Sequence, residues 1–252
     1  MKIVGPLLFA LALSAACATM NTGAGGGGYS VQEKTLRLGS GETLRYTQAL
    51  PPRLSPGEVR PLIVALHYGG EVTPYYGKPY LASLVLPALR ELGAIMVAPD
   101  CPGKGWTDPL SEKAVLELIQ RVQADHCVDP QRLVVTGYSL GAVGVWDLVF
   151  KHPHLFSAAI PVSGTPPKGI IVRPTGTGFW VIHSSDDEVI PIEPVRKFVR
   201  SCVSEGLSVR FFTVANLGHY EYDSYVPALK RAVHWLRSLW EGKAQGTRSN
   251  IP

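Results

Sequence analysis

Leu133-Val134-Val135-Thr136-Gly137-Tyr138-Ser139-Leu140-Gly141-Ala142 joins a short apolar, β-rich run to a segment whose apolar residues recur at helical spacing, through a Gly-x-Ser-x-Gly turn. The strand covers residues 133–136 and the helix residues 142–151. A turn this sharp forces the residue at its tip into a strained backbone conformation, and glycines on either side remove side chains that would strike strand or helix. Ser139 is thereby lifted above the sheet, with the helix N-terminus behind it to favour developing negative charge. That setting makes Ser139 a candidate nucleophile.

A serine hydroxyl is a weak nucleophile near neutral pH, so it needs a base within hydrogen-bond reach and a third group to orient that base. Of the seven histidines, His219 in Leu217-Gly218-His219-Tyr220 follows the last expected strand and precedes the last helix, which gives the chain order serine, acid, histidine. His67, His126, His152, His154, His183 and His234 read as structural or surface residues. The acid lies in His183-Ser184-Ser185-Asp186-Asp187-Glu188-Val189-Ile190-Pro191, just past a strand; registered on His183 and Pro191 it is Asp187, with Asp186 the alternative. Charge on a substrate carbonyl oxygen would be met by the Leu140 amide, next to the nucleophile, and by a second amide from Tyr68 or Gly69 in His67-Tyr68-Gly69-Gly70.

Outward from the turn, short strands alternate with helices, the order of an α/β domain with a mostly parallel sheet covered on both faces. Residues 33–38 and 43–48 alternate polar and apolar, as an antiparallel start at one edge would. Residues 61–66, 94–98, 133–136, 158–162 and 179–182 are brief apolar runs suited to strands buried on both faces, and residues 209–214 form the last strand. Residues 81–92, 112–125, 142–151, 194–205 and 224–240 have helical spacing. Asp129-Pro130 reads as a turn before the central strand. Residues 164–178 are a Pro- and Gly-containing loop too short for a large lid domain, and there is no internal repeat.

Together these segments resemble the α/β-hydrolase superfamily. The turn at Ser139, the HGxxDxxVP-like run at residues 183–191, the HGxG-like loop at His67 and the late histidine carry the likeness. Residues 129–164, including Arg132-Leu133-Val134-Val135-Thr136-Gly137-Tyr138-Ser139 and His152-Pro153-His154-Leu155-Phe156-Ser157-Ala158-Ala159-Ile160, look like its esterase and polyhydroxybutyrate-depolymerase or predicted-peptidase branch. The resemblance implies hydrolysis of small-molecule or polymer carboxylic esters through an acyl-enzyme on Ser139, without metal or organic cofactor. Two alternatives stand beside it: a serine peptidase of the same fold, and a catalytically silent surface binding protein. Trp106, in Gly103-Lys104-Gly105-Trp106, is positioned either to line the acyl or alcohol pocket or to pack for stability.

The N-terminus has the layout of an export signal. Met1-Lys2 precedes an apolar stretch, residues 3–16, shorter than the roughly 20 residues that cross a bilayer. Leu13-Ser14-Ala15-Ala16-Cys17 resembles the lipobox of bacterial lipoproteins, with Ser14 where leucine is usual, which implies cleavage after residue 16 and lipidation of Cys17. Residues 17–28, ending in Gly25-Gly26-Gly27-Gly28, suit a flexible tether to a catalytic domain spanning residues 29–252. The expectation is an exported protein, held at the envelope by the lipid or else secreted or periplasmic. The remaining cysteines, Cys101, Cys127 and Cys202, have no metal-ligand spacing and allow one disulfide and one free thiol. A net charge of +4 from 24 basic and 20 acidic residues, without long runs of either sign, gives no nucleic-acid surface.

Overall fold

Side chains of a strand alternate between sheet faces, so an apolar run without polar breaks demands a core on each side. The computed structural model, which describes residues 28–244 except 53, 54 and 56, has that arrangement. The expected leader, Cys17 and all of the tether but Gly28 lie outside the described residues. In β3 (Arg60–Leu66), Leu62, Val64 and Leu66 join one core, while Ile63 and Ala65 join the other. The flanking strands are β1 (Ser30–Arg37), β2 (Thr43–Leu50), β4 (Ile95–Pro99), β5 (Val128–Tyr138), β6 (Ala158–Val162), β7 (Gly178–Ser184) and β8 (Val209–Val214). Among the described residues they form one eight-stranded sheet in the order β1-β2-β4-β3-β5-β6-β7-β8. β2 is antiparallel to both its neighbours, and every other pairing is parallel.

The first core receives helices α3 (Pro109–Asp125), α4 (Leu140–Lys151) and α5 (Ile192–Ser204) through residues such as Val115, Val145 and Val195. The second receives α1 (Gly77–Tyr80), α2 (Leu86–Leu89), α6 (Val226–Lys230) and α7 (Ala232–Ala244) through Tyr80, Leu89, Leu229 and Leu236. The chain leaves the parallel strands at one sheet edge, so Ser139, Asp187 and His67, each near the C-terminal end of its strand, share that edge.

Several expectations need correction. Residues 81–92 are not one regular helix: a π-helical turn, Leu81–Val85, passes into α2 and then a 3-10 turn, Arg90–Leu92, closed by Gly93 at φ 61°. Pro87 has no N–H to donate to the preceding turn, which breaks the regular ladder. Pro227 similarly stands at the start of α6, after a 3-10 turn at Tyr222–Tyr225, so residues 224–240 are also divided. Asp129-Pro130 falls inside the bounds of β5, but the pairing to β3 is interrupted there, stepping from Arg60–Val128 to Leu62–Leu133, and the Gln131 N–H donates to Asp129 Oδ1 at 2.9 Å, a local turn that precedes the regular part of the strand. Finally, Cys101 and Cys202 are both free and buried, so no disulfide forms within the trio Cys101, Cys127 and Cys202. Burial raises the Cys101 thiol and pushes Cys202 up to about 12, which keeps both protonated and unreactive.

Candidate active site

The turn between β5 and α4 holds Ser139 at φ 54° and ψ −116°, a strained conformation for a side-chain-bearing residue. Its own N–H donates to the Val162 carbonyl at 3.0 Å, tying the turn to β6. A Cβ on Gly137 would run into the backbone of Gly141, and one on Gly141 into the Leu66 carbonyl oxygen. Close approach between the central strands and the start of α4 therefore excludes side chains at both positions. Leu140, the first residue of α4, presents an amide that has no intrahelical acceptor.

Ser139 Oγ lies 2.8 Å from His219 Nε2. On the other side of the ring, His219 Nδ1 lies 2.9 Å from Asp187 Oδ2 and 3.0 Å from Oδ1. An Nδ1–H donating to the carboxylate leaves Nε2 free to accept the serine proton, the tautomer that general-base chemistry requires. Burial pushes the Asp187 carboxyl upward. The His219 hydrogen bond, the Ile190 and Val189 amides and the nearby imidazole outweigh it, so the group lies below its ordinary value and stays ionised. Asp186 is exposed and accepts from the Asn216 amide at 2.7 Å, away from His219. The geometry thus brings Asp187, and not its neighbour, to the histidine.

Gly69 approaches the turn at Ser139 closely enough that a Cβ on it would touch Leu140. Trp106 does not line a pocket. It is 1% exposed, and its indole N–H donates to the His67 carbonyl at 2.8 Å. The loop folds it inward because a ring of that size gains more from the core beside Gly144 than from solvent.

Three further side chains brace His219 and the turn that carries Asp187. The Tyr138 hydroxyl donates to the His219 carbonyl at 2.7 Å, and Glu188 Oε2 accepts the His219 N–H at 2.9 Å. His183 donates from Nε2 to the Ile190 carbonyl at 2.8 Å, bracing the turn that presents Asp187; burial keeps its imidazole below the ordinary value and neutral. In sequence, Tyr138 adjoins Ser139 and His183 opens the run that holds Asp187, whereas Glu188 has no such mark. A succession of ring contacts also runs from Tyr76 to Tyr68 at 5.7 Å, to Tyr222 at 4.9 Å, to Tyr138 at 6.0 Å and to His219 at 5.7 Å. Among the described residues there is no cluster of histidine, cysteine or carboxylate groups able to hold a metal ion.

A mostly parallel eight-stranded sheet with this strand order, a strained serine between its central strand and a helix, and a histidine delivered after the last strand define the α/β-hydrolase fold. The chain has that fold, and its relatives are ester hydrolases. It is 27% identical over 172 residues to a probable feruloyl esterase C of Aspergillus terreus, covering 62% of this chain and 61% of the relative. It is 34% identical over 65 residues to poly(3-hydroxyalkanoate) depolymerase C of Paucimonas lemoignei, covering 26% of this chain and 15% of that protein. The solved structure of a thermostable esterase superposes with a TM-score of 0.71 at 26% identity, over 82% of this chain and 62% of the other. The chain therefore spans less than two thirds of these proteins' lengths. No family model matches it.

Proposed function

We propose that the chain is a serine carboxylic-ester hydrolase that works through an acyl-enzyme on Ser139. The observation that carries this is the unbroken line from Ser139 Oγ through His219 to Asp187, at 2.8 and 2.9 Å. As Oγ attacks the ester carbonyl, His219 Nε2 takes its proton and the carbonyl oxygen gains negative charge. The Leu140 amide and an amide of the His67 loop stabilise that charge. His219 then gives the proton to the departing alkoxide, which leaves as the alcohol. Water, deprotonated by His219, attacks the acyl-enzyme; the acid departs and Ser139 regains its proton. Asp187 holds the ring in its tautomer and stabilises its charged form throughout.

The tyrosines beside the site favour an aromatic acyl group. Tyr68 and Tyr222 are half-buried, in ring contact with one another, and connected through Tyr138 to His219. Offset or edge-on packing against such a wall is worth about 0.5–1.5 kcal/mol for one ring. A hydroxycinnamoyl ester, the substrate class named for the Aspergillus relative, fits that chemistry.

The test is turnover of p-nitrophenyl acetate, butyrate and longer esters by the parent and a Ser139→Ala variant. Turnover that vanishes in the variant is expected. A folded parent inert toward every ester, yet active on peptide amides, would replace this reading with a peptidase; one inert toward both would favour the silent binding protein.

A further inference from the structure

The sequence left open whether Tyr68 or Gly69 supplies the second amide for the oxyanion, and gave Trp106 no role in that choice. Hydrogen bonds around His67 decide both. The imidazole is 1% exposed, and burial draws its pKa down to about 4, so it is neutral. The Cys101 N–H donates to Nε2 at 3.1 Å, which makes Nε2 the acceptor and puts the ring proton on Nδ1. Nδ1–H in turn donates to the Tyr68 carbonyl at 2.7 Å.

In a trans peptide the C=O and the following N–H point in opposite directions. With the Tyr68 carbonyl drawn back to the His67 ring, the Gly69 N–H is turned away from that ring, on a residue that packs against Leu140. The preceding peptide unit is held the other way round. The His67 carbonyl lies against Gly141 and accepts the Trp106 indole N–H at 2.8 Å, so the Tyr68 N–H is directed away from the nucleophile turn. Trp106 also packs edge-on against the His67 ring, with centroids 4.9 Å apart, and Tyr76 makes a second edge contact with that ring at 4.8 Å. One tryptophan therefore fixes both the backbone and the ring of His67.

We propose that Trp106 is a positioning residue for the oxyanion site: it locks His67, whose ring holds the Tyr68 carbonyl so that Gly69, together with Leu140, supplies the two charge-stabilising amides. Trp106 touches no reacting atom. Its effect belongs in the transition state, where the carbonyl oxygen carries charge, and not in binding of the neutral ester. The inference rests on the serine hydrolase reading above.

The experiment compares the parent, Trp106→Phe and Ser139→Ala on p-nitrophenyl butyrate, with a butyl trifluoromethyl ketone as inhibitor. That ketone adds to Ser139 and places an oxyanion in the hole. In Trp106→Phe, kcat falls about tenfold or more and KM stays within about twofold, because removing a full oxyanion donor costs on the order of 100-fold or more and this change only loosens one. Ki for the ketone rises by the factor that kcat/KM loses. A folded Trp106→Phe with kcat and Ki close to parent sinks the proposal, as does an activity loss carried by KM with Ki unchanged. Amide NMR of the parent needs no variant. On adding the ketone, the Gly69 and Leu140 protons move downfield; movement of Tyr68 in place of Gly69 overturns the assignment. A parent that neither turns over esters nor binds the ketone fails at the earlier step, whereas an active parent with an indifferent Trp106→Phe fails at this one alone.

Discussion

His219 is held at four points: by Ser139 and Asp187 through its ring, and by Glu188 and Tyr138 through its backbone. Replacing Asp187 with Asn keeps the shape but can present N–H where the ring needs an acceptor, which favours the wrong tautomer. We expect kcat to fall by about a thousandfold or more, while Asp186→Asn stays near parent, in steady-state assays of both. Tyr138→Phe removes only a hydroxyl whose bond to the His219 carbonyl is worth about 1 kcal/mol. Its kcat should fall several-fold with little change in melting temperature; a kcat equal to parent would mean the bond does not position the base. Ser139, His219 and Asp187, which the fold brings within hydrogen-bond distance of one another, are each flagged by their own neighbours in sequence. Tyr138, Glu188 and Trp106 are not, because their partners lie 81, 31 and 39 residues away, and a lone tyrosine, glutamate or tryptophan carries no local signature. The pocket-lining expectation for Trp106 failed for the same reason: glycine neighbours predicted a loop but could not say which way its ring would turn.

Elements were readable where periodicity alone decides them. β6 and β8 run from Ala158 to Val162 and from Val209 to Val214, the bounds that their apolar or alternating runs indicate. The helical segments after β3 and β8 were legible in place but not in form, since Pro87 and Pro227 leave the apolar spacing intact while removing a backbone donor. β5 was longer than its apolar run because its first residues are partly exposed and carry polar side chains. The contact between α4 and β3 makes a sharp prediction. In Gly141→Ala the new methyl meets the Leu66 carbonyl, so either the turn or the strand must shift, and overpacking of this kind costs about 1–3 kcal/mol. Urea unfolding should register that loss together with a fall in kcat; a fully stable, fully active variant would contradict the packing described. The Tyr222–Tyr225 turn sets the aromatic wall. Tyr222→Ala is expected to lower kcat/KM for methyl ferulate by up to about tenfold, the equivalent of one lost ring contact, while sparing p-nitrophenyl acetate. Equal losses on the two esters would remove the case for an aromatic acyl site.

For the molecule as a whole, the same buried groups that arrange the site make stability depend on pH. His67 titrates at about 4 when folded against 6.5 when unfolded, so between those values the unfolded chain binds the extra proton. Its contribution is complete above pH 6.5 and is lost as pH falls toward 4, by up to about 3 kcal/mol. His126 and His183, also lowered by burial, act in the same direction; Asp187, with its depressed carboxyl, loses its contribution as pH falls through its folded value. Urea unfolding at pH 7.5 and 4.5 should reveal this loss in the parent and a smaller one in His67→Phe; equal losses would place the effect elsewhere. The proposed chemistry rests on one nucleophile on this sheet, and the most direct measurement is to react the protein with a fluorophosphonate and map the adduct by peptide mass spectrometry. A single phosphonyl group on the peptide containing Ser139, abolished in His219→Ala, is the expected result. Adduct on another residue, or no adduct in a protein that still hydrolyses esters, would contradict it.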